Sequence, residues 1–454
     1  MRDIIENALK SHGADYCEIR IEESAANNIQ YRGRELEEIG MSTGLGGNVR
    51  AVVKGGWGFV TFNDLSDLPD KVSLAVRQAR LAAQDETKLA PVEPVVDAVA
   101  AKLVEDPASV SLDDKKRMMD EYVEAAWTVS DKVRTSQIYY SDSRRRAYFG
   151  SSEGAYIEQD QVRMRLGGVI TARSNGEVQQ GRMSRSGRTD FGTMRGLHKE
   201  FETAARKAVA LLDAKPAKSG EFVVVLDPSL ASVFIHEAFG HLSESDHVYE
   251  NPKLKEILVL GREFGRPFLN VADSGAEASL SGSFAYDDEG TPARKNYLIR
   301  EGRLVGRLHS RETAGKMGEA PTGNARAITY RFPPIVRMTN TFIEPGDVTF
   351  DELVADIKEG VYVVNWLGGQ TAMEMFTFRA MEAYAIREGR IEEPLRGVTL
   401  TGNVFETLAN IDAVASDFTW DPGGGGCGKG GQGPLPVGNG SPHIRISRCV
   451  IGGV

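Results

Sequence analysis

Apolar and polar positions alternate with period two through much of the first half of the chain. Within 16–64 the runs "YCEIRIEES" and "NVRAVVKGGWGFVTF", punctuated by glycine, predict strands joined by hairpins. The same alternation returns over 134–187 in "TSQIYYSDS", "AYIEQDQVRMRLGGVITARS" and "EVQQGRMSRSG". Between these runs the pattern turns helical. "MRDIIENALKSHGADYCEIRI" predicts a short amphipathic helix running into a strand, and 66–85, 112–129 and 198–213 ("LHKEFETAARKAVALL") predict longer helices. The stretch 88–112 holds three prolines and predicts a long surface connection. "DAKPAKSG" (213–220) is short, polar and turn-forming, which makes it the expected domain boundary. Beyond it come a buried strand, "EFVVVLD", then short strands and glycine turns over 255–454, with one clear helix near 350–359. The expectation is an α+β protein: a mixed α/β domain over 1–215, and a mostly antiparallel, β-rich domain over 220–454.

Composition narrows the function classes. A chain of 454 residues has room for two or three cores. No run approaches the roughly 20 apolar residues that cross a bilayer, and the start lacks a secretory signal pattern, so a cytoplasmic protein without a membrane partner is expected. Cys17, Cys427 and Cys449 are too few and scattered for a disulfide framework. A net charge of -10 argues against broad nucleic-acid binding. The one dense basic cluster, "RRR" at 144–146, reads as a solvated strand or loop.

The candidate chemistry lies in "DPSLASVFIHEAFGHL", 227–242. Asp227 suits a cap and Pro228 the first helical position, and Leu230, Val233 and Phe234 form an apolar stripe. His236 and Glu237 therefore sit inside a helix, and His241 follows five residues after the first histidine. Zinc helices usually space their histidines four apart. Residues four apart are rotated by about 40°, those five apart by about 140°, so a regular helix would point these rings to different sides. A π-bulge or a terminal kink would bring them together, and Gly240 permits either distortion. The bland alternative is two surface histidines and a solvated Glu237. Glu244 and His247 are nearby ligand candidates, expected on the loop after the helix.

A catalytic zinc usually takes three protein ligands and a water. Cys449 in "HIRISRCVIGG", His443 at that strand's start and His309 in "RLVGRLHS" each read as structural. Cys427 differs, because the glycines of "DPGGGGCGKGGQGPLPVGNG" let backbone approach a site closely and leave nothing to bury the thiol by packing. Zinc, or nearby Lys429, would favour its thiolate. Gly423 to Lys429 also match the G-x-x-x-x-G-K spacing of a phosphate loop, but Gly430 replaces the magnesium-binding hydroxyl and "GQGPLP" cannot open a helix.

These residues together resemble the TldD/PmbA family, in its metal-bearing TldD branch. The resemblance covers most of 221–454 through "HEAFGH", "YDDEGTP" (286–292), "APTGNARA" (320–327), "RMTNTFIEPGD" (337–347), "GVTLTGN" (397–403) and "CGKGGQGPLPVGNGSP" (427–442). It implies a zinc-dependent peptidase of HExxxH type acting on unfolded peptides, with His236, His241 and Cys427 as Zn2+ ligands. It also implies a dimer, either a heterodimer with a metal-free paralogue or a homodimer. Glu237 is then the expected catalytic base, exchanging protons between the attacking water and the leaving amine. A peptide is expected to lie as an added strand on a sheet edge. Asp288, Asn324 and Arg326 are candidate substrate contacts, with Asp287 and Glu289 beside them; for each, a structural turn or brace is the competing reading. The alternative function is a non-catalytic metal-binding regulatory partner of gyrase-modulator type.

Overall fold

The computed structural model describes residues 1–10, 13–83, 87–372 and 374–453. One sheet has seven strands, six of them from the period-two runs and β4 from the proline-bearing stretch: β1 (Tyr16–Arg32), β2 (Glu35–Val53), β3 (Gly56–Phe62), β4 (Val96–Val99), β5 (Val133–Ser151), β6 (Tyr156–Ser174) and β7 (Glu177–Gly187). Their order is β3-β2-β1-β5-β6-β4, with β7 also on β6. Helices α1 (Arg2–Leu9) and α2 (Leu68–Leu81) bury Ile5, Val72 and Ala75 against Ile19, Ile21 and Val49. Further along, α3 (Leu112–Trp127) and α4 (His198–Leu211) bury Met119, Tyr122 and Phe201 against Ile29 and Ile138. Residues 84–85 of the helix expected over 66–85, and 11–12 of the expected helix-to-strand run, lie outside the described residues. The stretch 88–112 is not merely a surface connection. Its β4 segment pairs in parallel with β6, because Val96–Val99 meet the open edge at Tyr156–Gln159.

Alternation along β1 means something other than one dry and one wet face. Ile19 and Ile21 point to the helices, while Glu18, Arg20 and Glu22 point the other way and are also buried, against the C-terminal half. There Arg50 meets Glu18 at 2.8 Å and Glu289 at 3.0 Å, and Arg20 meets Asp288 at 3.1 Å. Arg145 bridges Glu22 and Asp288, so the basic run 144–146 is not simply solvated: its middle residue belongs to this ionic layer. Arg144 pairs with Asp160 and Asp106 at the half-exposed rim.

The strands from Lys215 onward form separate sheets. In one, Gly220–Leu226, Ile444–Gly452, Thr399–Asn403, Met375–Arg387 and Glu359–Ala372 pair in sequence, and the last also pairs back to the first, closing a ring. Pairing is mostly antiparallel; Glu359–Ala372 beside Gly220–Leu226 is a parallel exception. The second large sheet contains Val271–Ser274, Asn340–Ile343 and Gln432–Ser441. Helix α5 (Pro228–Ile235) is wedged between the two sheets, and both of its sides are apolar. The helix expected near 350–359 is Phe350–Ala355, but Ser245–Glu250, Pro252–Ile257, Arg311–Met317 and Val404–Ala409 are helical as well. These are six- or seven-residue helices, too short to show a 3.6-residue period. Among the described residues, no helix is long and apolar enough to cross a membrane.

Candidate metal centre

The helix that carries the histidines starts as its sequence predicts. Asp227 accepts a hydrogen bond from the Leu230 amide and Pro228 opens the first turn. The same Asp227 oxygen accepts from the Asn365 amide, tying the helix start to the neighbouring strand. At His236 the helix widens into a single π turn, His236–Gly240, and the amide of His241 bonds the carbonyl of His236. That five-residue closure replaces a mismatch of about 140° by one wide turn that puts both imidazoles on one side, with ring centroids 5.4 Å apart. Gly240 is not there for backbone freedom, since its φ of -57° is ordinary for a helix. A Cβ at Gly240 would lie 2.1 Å from the sulfur of the buried Met338, so the residue is small to let that side chain approach.

Cys427 arrives from the opposite direction, on a hairpin rather than a loose glycine loop. Gly425–Lys429 pairs with Gln432–Ser441, and the link is Gly430 and Gly431, both with positive φ, as tight primed hairpin turns require. Contrary to the expectation that nothing could cover it, Cys427 is only 5% exposed. Buried Arg337 holds the hairpin in place by donating to the carbonyls of Cys427 at 2.6 Å and Gln432 at 3.0 Å.

His236, His241 and Cys427 thus offer three ligand atoms that all lie within 4.8 Å of one another. The Cys427 sulfur is 3.4 Å from His241 Nε2. Burial opposes ionisation of the thiol, but the two imidazoles outweigh it and hold Cys427 down at about 4. Burial would likewise lower His241, yet Cys427 and Glu244 raise it to about 11; His236 is raised by the same thiolate against its own burial. The donor set is two imidazoles and a thiolate, the kind zinc accepts. His236 Nδ1 is buried and without a partner among the described residues. Both observations fit a metal ion.

Glu244, a ligand candidate by its position, is not part of this cluster but bonds the back of His241. It is fully buried, accepts from His241 Nδ1 at 2.9 Å and meets the Lys429 ammonium at 3.2 Å. Burial disfavours its charge, but Lys429 and His241 pull it down to about 2. Lys429 does not turn toward the thiol; it is held by Glu244, Asp246 and the Val336 carbonyl. The clamp has a sequence signal: Glu244 falls three residues after His241, within reach on one helical turn. Glu237 and His241 line an open groove of about 760 Å³, with His247, Gly369, Gln370, Thr371 and Gly428 among its other walls. Glu237 Oε2 is 3.9 Å from His241 Nε2.

The other candidates are placed away from this groove. Asn324 is buried, donating to Asp273 at 2.9 Å and to the Arg337 carbonyl at 3.0 Å. Arg326 donates to the carbonyls of Met338 and Pro436, bracing the hairpin from behind. Asp288 belongs to the ionic layer and also accepts from the Ala327 amide at 2.8 Å. Asp287 caps its own turn through the amides of Glu289 and Thr291 and ties it to the distant Ala325 amide. His309 pairs with Glu319 and His443 with Asp417, remote from the cluster.

Comparison with known proteins follows the same lines. Three domain models match: PmbA/TldA metallopeptidase domain 1 over 17–83, the central domain over 105–212 and the C-terminal domain over 219–453. A Synechocystis protein named metalloprotease is 46% identical over 441 residues, covering 97% of this chain and 95% of its own. A Saccharolobus solfataricus protein named zinc metalloprotease TldD homolog is 29% identical over 456 residues, covering 97% of each. Among solved structures, TldE from Thermococcus kodakarensis superposes with a TM-score of 0.78 at 18% identity, over 100% of this chain and 99% of that one. A Thermotoga maritima protein described as a candidate modulator of a DNA gyrase gives 0.79 at 18% identity, over 99% of both chains.

Proposed function

The chain belongs to the PmbA/TldA metallopeptidase family, and from that premise we propose that it is a zinc-dependent peptidase of unfolded peptides. The observation that carries this reading is the convergence of His236, His241 and Cys427 beside Glu237, whose carboxylate faces an open groove. His236, His241 and Cys427 would hold the ion. Zinc, when bound, supplies a Lewis acid that polarises the scissile carbonyl and lets its water ionise near neutrality. Glu237 takes the proton from the attacking water and returns it to the leaving amine. Glu244, fixed by Lys429, keeps the His241 ring turned so that Nε2 faces the cluster.

Replacing Glu237 with Gln is the deciding experiment. The variant should retain stoichiometric zinc and lose peptide cleavage by at least ~100-fold, the scale of general-base catalysis. Zinc-loaded E237Q with wild-type turnover would overturn the assignment. The non-catalytic regulatory reading, which the Thermotoga relative's description suggests for that protein, would instead require zinc-loaded wild type to cleave no peptide.

The groove supports main-chain binding of substrate. Beyond Val363, among the described residues, the strand Glu359–Ala372 pairs only with Met375–Arg387, which leaves its other edge free where Gly369, Gln370 and Thr371 line the groove. A peptide added along that edge is held by backbone hydrogen bonds that accept many sequences. Peptides N-methylated on alternate residues should then show a raised KM; an unchanged KM would reject strand addition. An enclosing dimer, with a metal-free paralogue or a second copy, completes the proposal, and a monomeric mass during turnover would remove it.

A further inference from the structure

Behind the hairpin that carries Cys427, on the face away from the groove, lies a second and smaller cavity of about 40 Å³. It sits between the two halves of the chain. Arg145, Gln161 and Arg163 line it from the N-terminal sheet, and Asp287, Asp288, Arg326 and Pro436 from the C-terminal half. Arg188 stands close behind and repels Arg163.

The two wall carboxylates are already engaged, Asp287 by main-chain amides and Asp288 by Arg20 and Arg145, and three arginines remain without an ion pair among the described residues. Arg145 is neutralised by Glu22 and Asp288. Among the described residues, Arg163 donates to the Gln161 side chain alone, Arg326 to two main-chain carbonyls, and Arg188 to the carbonyls of Val162, Leu280 and Ser283. None of these three has a carboxylate within ion-pair distance among the described residues. The buried Nε–H groups of Arg145 and Arg163 have no acceptor there either. Buried donors are almost always satisfied, and buried charges are almost always paired. Burial, reinforced by the other arginines, pushes Arg163 well below its usual range, and burial brings Arg188 and Arg326 down to about 10.

We propose that this cavity binds one small inorganic oxyanion of the phosphate or sulfate class, held by Arg145, Arg163 and Arg326. Guanidinium forks match such oxygens in pairs, and an anion would answer both the orphaned donors and the unbalanced charge. A water needs about 10–15 Å³ of such space, so 40 Å³ has room for one small anion. The site uses none of the groove residues, so it stands or falls independently of the peptidase reading.

The test is thermal unfolding of the full-length, zinc-loaded protein as phosphate is titrated at constant ionic strength, with wild type compared to R163Q. Wild type should show a Tm that rises and saturates with phosphate. R163Q should lose that saturable rise while being at least as stable as wild type in phosphate-free buffer, because an unpaired buried charge has gone. An arginine that merely braced the junction would instead give R163Q a lower Tm at every phosphate concentration. The proposal is overturned if wild type shows no saturable rise, or if both proteins respond alike. Should R163Q fail to fold, diffraction from wild-type crystals soaked in selenate decides. An anomalous peak within hydrogen-bond distance of Arg163 is expected, and an empty cavity rejects the site.

Discussion

At Cys427 a buried sulfur and an ionised thiol coincide, because two imidazoles stand beside it. Its isolation among glycines marked it as a thiol without a packing purpose, and it does meet the two histidines. Yet the glycines form a hairpin, and Arg337 and the surrounding strands bury the sulfur. The roles of Lys429 and Arg337 were hidden because their partners, Glu244 and the Cys427 carbonyl, are remote in sequence. A residue-level prediction follows from the titration of the three thiols. Burial pushes Cys17 and Cys449 up to about 12, whereas the imidazoles hold Cys427 at about 4. In metal-free protein, iodoacetamide at pH 6 should modify Cys427 and spare the other two, since only the thiolate reacts. Zinc should protect it, and peptide mass mapping reads both outcomes. Modification of Cys427 at equal rates with and without zinc would detach it from the metal centre.

Among the elements, long strands and long helices were the most readable parts of the chain, because each repeats its period several times. The π turn was readable for a different reason: five-residue spacing of two histidines is incompatible with a straight helix, so the distortion is implied by the chemistry itself. What the spacing could not show is why Gly240 is needed, since that depends on Met338 from a distant strand. In an ordinary helix Gly→Ala gains up to about 1 kcal/mol. Here the added methyl collides with a fully buried sulfur, and overpacking costs about 1–3 kcal/mol, so G240A should be destabilised. Urea unfolding measures it, and in an M338A background, where the sulfur is gone, adding G240A should cost little further stability. A G240A protein more stable than wild type would show that Met338 moves aside freely. The short helices, each only a turn or two, carried no period to read.

At the scale of the whole molecule, alternation gave the strands but not what covers their polar side. "CEIRIEE" looks half solvated, and no local feature tells that Glu18, Arg20 and Glu22 face a second layer of protein. Their partners Asp288 and Glu289 lie some hundreds of residues away, so nothing local distinguishes Asp288 from a substrate contact. Burial opposes the charge on Asp288, but Arg20 and Arg145 prevail and lower it to about 2. Because the folded value is depressed below the unfolded value near 3.9, its contribution is present above about pH 4 and is lost as pH falls toward 2. The D288N variant should therefore be less stable than wild type at pH 7, with the difference shrinking below pH 4. Denaturant titrations at pH 7, 4 and 3 check this, and a constant difference across them would deny the carboxylate its part.

The wedging of α5 between two sheets also bears on how such a protein is made. The imidazole of His241 and the sulfur of Cys427 are separated by 186 positions along the chain. A nascent polypeptide emerging from the ribosome carries both rings long before the thiol is translated. It therefore passes through synthesis with its cutting centre unassembled, and on the proposed reading it gains the power to hydrolyse its surroundings only once the late hairpin has docked.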